Sequence, residues 1–178
     1  MPGYFFDSSA LVKIYHPEDG TPVVDQIVNA ANNSARISRL TIPELISAFA
    51  IKVRTHSISR EDADVFLRQF RRDIADGKLE VFSVADSEFA MAESLVERYA
   101  FDLRLRALDA LQLAVALELR NQELIDHFVA ADSILCEVAG LEGFSVVNPE
   151  RPDSRAVVAT GSLSCRTNAT FKSDWQPP

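Results

Sequence analysis

Short apolar runs alternate along the chain with longer segments in which apolar residues recur at helical spacing. The first run, residues 4–6, ends abruptly at Asp7 and predicts a buried strand. Similar runs predict further strands over residues 35–38, 79–83, 127–131 and 144–147. Helical spacing, with capping and stop residues at several ends, predicts helices over residues 8–15, 21–30, 41–55, 59–75, 86–99, 105–120 and 132–139.

This alternation of strands and helices predicts a parallel α/β sheet that is covered by helices on both faces. The helix over residues 105–120 is apolar almost all round, so we expect it to be central and buried. Functional sites in such sheets form beyond the carboxyl ends of the strands. Asp7 and Asp132 each follow a predicted strand directly, and the first and fourth strands can be neighbours. The two carboxylates are therefore expected at one edge of the sheet.

The composition indicates a globular protein whose single domain we place at residues 1–150. The chain has 178 residues, of which 47% are hydrophobic and 25% are charged. No apolar run is long enough for a membrane-spanning helix, and the N-terminus lacks the pattern of a signal peptide. Cys136 and Cys165 form no closely spaced pair, which favours a reducing cytoplasm. Residues 151–178 are rich in Ser, Thr, Pro and Ala and predict a disordered tail.

The charge of the chain argues against broad, charge-driven binding to nucleic acid. The net charge is −8 and the sequence pI is about 4.9. Basic residues nevertheless outnumber acidic ones over residues 31–80, whereas acidic residues dominate residues 81–150. This asymmetry is either an ordinary solvated surface or a basic rim beside an acidic pocket. The rim would comprise Arg36, Arg39, Lys52, Arg54, Arg60, Arg68, Arg71 and Arg72.

Four carboxylates are candidates for an acidic pocket, and each also has a purely structural interpretation. Asp7 and Asp132 could simply cap the helices that follow them. Glu44 could belong to a capping box that begins at Thr41, within the pattern Thr-x-x-Glu. Asp109, in an otherwise apolar helix, could pair with Arg106 at helical spacing. The alternative for all four is convergence in one cleft, where a cation would offset their mutual repulsion.

Oxygen-only donors of this kind favour Mg²⁺ or Mn²⁺ over zinc. The two cysteines and the three histidines (His16, His56 and His127) show no zinc-site spacing. The sequence also contains no P-loop, no glycine-rich dinucleotide motif and no nucleophile-elbow motif. Nucleophilic serine or cysteine chemistry therefore has no candidate.

Five segments resemble the motifs of PIN-domain proteins, and their order and spacing are similar to those of VapC toxins of type II toxin–antitoxin systems. They are residues 6–15, 42–45, 106–114, 128–132 and 143–149, so the resemblance covers roughly residues 1–150. It implies a three-layer α/β fold with a five-stranded, mostly parallel sheet. It also implies an endoribonuclease that depends on Mg²⁺ or Mn²⁺.

The resemblance also assigns roles to residues. Asp7 and Asp109 match the two metal-ligating aspartates, and Glu44 and Asp132 match the other acidic positions; Ser9 and Arg106 are expected to support them. The family commonly has Ser or Thr two positions before the last aspartate, whereas this chain has Ala130. Apart from the resemblance, the basic rim suggests Arg36, Arg39, Lys52 and Arg54 as the residues that hold the RNA backbone. A cognate antitoxin that places an arginine on the carboxylates, and a homodimer, are the implied partners.

Two other functions remain open at this point. The first is a non-catalytic binding module that keeps the fold and uses the groove for protein partners. The second is a nuclease of the same kind that acts on DNA or another nucleic acid outside a toxin–antitoxin system. Metal-dependent cleavage of matched RNA and DNA separates these possibilities from the ribonuclease toxin.

Overall fold

Five parallel strands form the centre of the protein. The computed structural model describes residues 1–151, so the tail predicted at 151–178 lies outside the described residues except for Arg151. The sheet has the order β3-β2-β1-β4-β5, and every neighbouring pair is parallel rather than mostly so. The strands are β1 (Gly3–Phe6), β2 (Ser34–Ser38), β3 (Leu79–Phe82), β4 (His127–Val129) and β5 (Ser145–Val147).

In the described part of the chain, seven helices connect the strands, each within a few residues of its expected range. They are α1 (Ser8–Tyr15), α2 (Thr21–Asn29), α3 (Thr41–Arg54), α4 (Arg60–Ala75), α5 (Asp86–Leu103), α6 (Ala107–Asn121) and α7 (Ser133–Leu141). Helix α5 runs to Leu103, past the expected end at residue 99, because Leu103 still packs against the core. It ends at Arg104, whose φ of 60° is left-handed. Within the described residues, no helix is long and apolar enough to cross a membrane.

Each face of the sheet has its own apolar core. Phe5 belongs to a cluster with residues of α5, α6 and α7, whereas its neighbour Phe6 belongs to a cluster with residues of α1, α3 and α4. Successive strand residues point to opposite faces, so this division follows from the strand geometry. Helix α6 is the central helix that its sequence predicts, with eight of its 15 residues buried. The three-layer α/β fold is thus confirmed.

The topology brings the carboxyl ends of β1, β2 and β4 together. The chain adds β2 and β3 on one side of β1 and then returns to add β4 on the other side. The strand order thus reverses beside β1, and the carboxyl edge at such a reversal is the usual position of a site in an open α/β sheet. Asp7 lies at this edge, between the ends of β1 and β4, because its N–H donates to the carbonyl of Val129 at the end of β4 (2.9 Å).

At the opposite edge of the sheet, the absence of a side chain at Gly3 is a structural requirement. A Cβ at this position would overlap the carbonyl oxygen of Leu124 and lie 2.8 Å from Nη1 of Arg36. We expect Gly3→Ala to lower the free energy of unfolding by about 1–3 kcal/mol through overpacking. Urea unfolding measures this, with Gly140→Ala as the matched control, because a Cβ at Gly140 meets nothing within 4 Å. Equal stability of the two variants would contradict this account.

Candidate functional site

Asp7 caps helix α1 and is almost completely buried. Its side chain is 4% exposed, and its Oδ2 accepts hydrogen bonds from the backbone N–H of Ser9 (2.8 Å) and from the Ser9 hydroxyl (2.6 Å). Burial raises the pKa of Asp7, an effect that the Ser9 bonds oppose and the nearby charge of Asp132 adds to. The expected helix cap is therefore present. Both capping bonds use one carboxylate oxygen, so Oδ1 does not serve the cap.

Asp132 caps helix α7 in the same way. Its Oδ1 accepts from the backbone N–H groups of Ile134 and Leu135, each at 2.9 Å. Here too, one oxygen serves the cap and leaves Oδ2 free of that role. A capping interpretation and a metal-ligand interpretation are thus compatible for both aspartates.

The hydroxyl of Ser9 joins the loops that carry these two aspartates. It donates to Asp7 and accepts from the backbone N–H groups of Ala131 (3.0 Å) and Asp132 (3.4 Å). Ser9 therefore supplies a hydroxyl to the loop after β4, in which position 130 is alanine. The two capping turns are held together although they lie more than 120 residues apart in the chain.

We expect Ser9→Ala to separate these loops and to lower the free energy of unfolding by about 1–2 kcal/mol, because the partly buried N–H groups of Ala131 and Asp132 lose their acceptor. If Asp7 and Asp132 share a functional site, metal-dependent cleavage should also fall by about tenfold. Thermal unfolding and a cleavage assay measure the two effects. Ser94→Ala on α5 is the matched control, since it removes a hydroxyl that bonds only within its own helix. The account fails if both variants behave alike.

Glu44 lies in the first turn of α3 but does not form the expected capping box. The N-cap residue is Leu40, without a side-chain cap, and Thr41 is already inside the helix with its side chain fully buried. The Thr41 hydroxyl therefore turns to Gln112 instead (3.0 Å between Oγ1 and Nε2). Glu44 Oε2 accepts from the same Gln112 Nε2 (2.6 Å). Burial raises the pKa of Glu44, Gln112 opposes this, and the charges of Asp7 and Asp109 add to it.

Asp109 lies in the first turn of α6, and its pKa is clearly shifted by its surroundings. Burial, followed by the charges of Asp7 and Asp132, raises its pKa to about 6. Arg106, the exposed N-cap residue of α6, lowers this pKa through its charge. The expected Arg106–Asp109 ion pair is not among those of the described residues, because Arg106 acts from beyond salt-bridge distance.

The four carboxylates thus influence one another although they come from four separate segments. Asp7 is affected by Asp132, Glu44 by Asp7 and Asp109, and Asp109 by Asp7 and Asp132. Among the described residues, however, no three His, Cys, Asp or Glu side chains are close enough to coordinate one metal ion together. The cluster is a region of strong negative potential with oxygen donors only, which suits a hard divalent cation that retains water ligands.

The basic residues named above differ in their freedom to bind a ligand. Arg36 contacts the carbonyl of Leu124 and forms an ion pair with Glu80 (2.8 Å), and Lys52 pairs with Glu18 (2.8 Å). Arg39 and Arg54 are exposed. Arg39 directly follows β2, at the carboxyl edge of the sheet where the acidic cluster lies.

Three residues of the site were not identified from the sequence. Gln112 and Thr41 hold Glu44 from within the core, and the Ser8 hydroxyl also favours its ionised form. The available signal was the polar Gln112 inside an apolar helix, one turn after Asp109. The Ser8 side chain thus acts on Glu44, whereas its backbone N–H joins Ser9 in favouring the ionised form of Asp7.

Fold and site together define an α/β protein with a group of acidic side chains at the carboxyl edge of a parallel sheet, where the strand order reverses. The sequence matches the model of the PIN domain over residues 4–147. The chain belongs to the PIN domain family, and PIN domains are generally nucleases. No curated protein matches the sequence significantly.

Several solved structures share the fold. A toxin–antitoxin complex from Klebsiella pneumoniae matches with a TM-score of 0.55 and 18% identity, over 82% of this chain and 97% of that chain. A protein from Pyrobaculum aerophilum matches with a TM-score of 0.50 and 20% identity, over 77% and 84%. VapBC2 from Rickettsia felis, bound to a promoter DNA fragment, matches with a TM-score of 0.48 and 18% identity, over 73% and 88%, which is too distant to support an argument. At these identities the likeness shows the fold alone.

Proposed function

We propose that this protein is an endoribonuclease that depends on Mg²⁺ or Mn²⁺ and acts as the toxin of a type II toxin–antitoxin module. One feature carries the proposal: Asp7, Glu44, Asp109 and Asp132 all follow the carboxyl ends of strands or begin helices there, in a PIN-domain fold, and the pKa values of Asp7, Glu44 and Asp109 are raised in part by the charges of the others. Without a cation, such a cluster only destabilises the folded protein. A hard divalent cation coordinated by these oxygen atoms offsets the repulsion.

Asp7 and Asp109 would hold the cation, directly or through water. Glu44 and Asp132 would complete the shell or orient the attacking water. When bound, the cation lowers the pKa of a coordinated water and stabilises charge on the phosphate oxygens. Mg²⁺ commonly uses one or two protein carboxylates, waters and substrate phosphates, which agrees with the lack of a closed set of three side chains in the described part of the chain.

The RNA backbone would contact the basic residues near the acidic cluster. Arg39 and Arg54 are exposed and available, whereas Arg36 and Lys52 would first have to leave Glu80 and Glu18. Phosphate contacts of this kind release counterions, so binding should weaken steeply with increasing salt.

The toxin role rests on the order and spacing of the sequence motifs, together with the shared fold of the Klebsiella complex. A cognate antitoxin would place an arginine on the acidic cluster, where a bidentate contact with a carboxylate is strong. A homodimer and a cytoplasmic location complete the proposal.

Cleavage assays with purified protein test the proposal. RNA and DNA of matched sequence are incubated with Mg²⁺, Mn²⁺ or EDTA, for the wild type and for Asp7→Asn. Asparagine caps a helix as well as aspartate does, so this variant should fold. We expect cleavage of RNA that requires metal and is lost in the variant. Absence of metal-dependent cleavage would support the binding module instead, and preferential cleavage of DNA would support a nuclease of another kind.

A further inference from the structure

Gln112 is a fully buried polar residue in helix α6, whose other buried residues are all apolar. Its side chain is 0% exposed, and its neighbours on α6 include the buried residues Leu113, Ala114 and Val115. A buried amide without hydrogen bonds would be costly. A glutamine in this position therefore needs partners that compensate for its burial.

These partners come from helix α3. Nε2 of Gln112 donates to Glu44 Oε2 (2.6 Å) and to Thr41 Oγ1 (3.0 Å), while the Thr41 hydroxyl approaches Gln112 Oε1 (3.4 Å). Both N–H groups of the amide are used, one on a carboxylate and one on a hydroxyl. The short bond is the one to the carboxylate, as is usual when the acceptor is charged.

The space at position 112 does not itself require an amide. An apolar side chain of similar volume would fill it, although the buried Thr41 hydroxyl would lose its partner and the fold would lose some stability. The particular contribution of Gln112 is therefore the N–H that reaches Glu44. This bond holds Oε2, and the Ser8 hydroxyl also stabilises the ionised form of Glu44.

The position of Gln112 on α6 couples two of the site carboxylates. Gln112 follows Asp109 by three residues, so the two side chains lie on neighbouring positions of one helix face. Asp109 belongs to the acidic cluster itself, and Gln112 reaches across to the Glu44 of α3. The same rigid helix thus sets the location of Asp109 and the orientation of Glu44.

We propose that Gln112, supported by Thr41, is a positioning residue that orients the Glu44 carboxylate towards the cation held by the acidic cluster. This inference rests on the proposed function, because it requires that the cluster binds a divalent cation. Hydrogen bonds from neighbouring groups commonly orient ligating carboxylates, and their loss weakens metal binding by about 10–100-fold.

A double-mutant cycle tests this role through Mn²⁺ binding in the absence of RNA. The Mn²⁺ dissociation constant is measured by electron paramagnetic resonance for the wild type, Gln112→Met, Glu44→Gln and the double variant. We expect Gln112→Met to raise this constant by about tenfold or more. In the Glu44→Gln background the same change should have almost no effect, because Gln112 acts only through Glu44.

A matched control separates the effect of Gln112 on Glu44 from its hydrogen bond to Thr41 in the core. Thr41→Val removes the core hydrogen bond but keeps the contact between Gln112 and Glu44. It should lower the melting temperature in EDTA to a similar extent as Gln112→Met and change Mn²⁺ affinity by less than about threefold, since Thr41 lies one step further from the cation. If Gln112→Met does not fold, Gln112→Asn keeps an amide in the core but shortens the side chain by one methylene, so that its N–H no longer reaches Glu44. This variant should weaken Mn²⁺ binding by about tenfold.

The outcomes distinguish this inference from the function on which it rests. A wild type that binds no Mn²⁺ overturns the proposed function. A wild type that binds Mn²⁺, with unchanged affinity in Gln112→Met or Gln112→Asn, overturns only the positioning role. The positioning role is also overturned if Gln112→Met weakens Mn²⁺ binding equally in the wild-type and the Glu44→Gln backgrounds. The same holds if Thr41→Val weakens Mn²⁺ binding as much as Gln112→Met does. In both cases Gln112 would act through the core.

Discussion

Replacement of Asp109 by asparagine should reduce metal-dependent RNA cleavage by about a thousandfold while the fold remains intact. Asp109 is half-buried in the first turn of α6, where it is exposed to the charges of Asp7 and Asp132. Asparagine has the same shape but contributes no negative charge to the cation. Loss of an electrostatic contact to a transition state commonly costs a factor of 10²–10³ or more, and a weaker hold on the cation adds to this loss.

The cleavage rate of a fixed RNA with saturating Mg²⁺ is the appropriate measurement. Glu118→Gln is the matched control, because it removes a carboxylate from the same helix, beyond the acidic cluster. Glu118 accepts a hydrogen bond from Gln122 near the end of α6. Cleavage within about threefold of the wild type is expected for this control, in line with the small effects of surface substitutions. Similar rates for Asp109→Asn and Glu118→Gln would exclude Asp109 from the reaction.

The same substitution should have opposite effects on stability with and without metal. In EDTA, Asp109→Asn should raise the free energy of unfolding at pH 8. The reason is that the folded protein raises the pKa of Asp109 from 3.8 to about 6, so the ionised carboxylate destabilises the fold. With allowance for solvent screening of a half-buried group, the gain should be about 1–2 kcal/mol.

The pH dependence follows from the direction of this shift. Below about pH 4 the carboxyl is protonated in both the folded and the unfolded chain, so the substitution should have little effect. Between about pH 4 and pH 6 the folded wild type binds more protons than the unfolded chain and loses stability as the pH rises. Above about pH 6 the full advantage of the variant should be present. Urea unfolding in EDTA at pH 4, 6 and 8 measures this trend.

Addition of Mn²⁺ should reverse the order of stability. A cation that binds only the folded state stabilises it by about 2.7 kcal/mol when its concentration is a hundred times the dissociation constant. The wild type should gain this stabilisation, and Asp109→Asn should gain much less. The interpretation of the cluster as a cation site would be wrong if both proteins responded to Mn²⁺ equally.

The fold could be predicted from the sequence because its signals are local and repeated. The run at residues 4–6, the helical spacing over 41–55 and the apolar character of 105–120 each determine an element without reference to the rest of the chain. Their order then leaves few sheet topologies. The end of α5 was misplaced because Leu103 continues the helix through contacts with the core, and such tertiary contacts are not local.

The candidate site could be predicted only in part. The aspartates after β1 and β4 were found because strand ends are visible in the sequence. The capping box at Thr41 and Glu44 was wrong, since its pattern does not reveal that Thr41 is buried against α6 and bonds to Gln112. The Arg106–Asp109 pair was also wrong, because helical spacing permits such a pair without requiring it.

The capping role and the ligand role of Asp7 and Asp132 could not be separated from sequence. The structure explains why: each aspartate uses a single oxygen for the cap, so one residue type at one position satisfies both roles. The role of Ser9 was equally inaccessible in detail, because its hydroxyl reaches the backbone of residues 131 and 132, far along the chain.

The central claim is that carboxylates from distant segments form one binding site for a hard divalent cation. A crystal of the full chain soaked with Mn²⁺ tests it most directly through the anomalous difference map. The account predicts a strong peak in contact with the carboxylates of Asp7 and Asp109. A map without a peak there, at Mn²⁺ concentrations that support RNA cleavage, would contradict it.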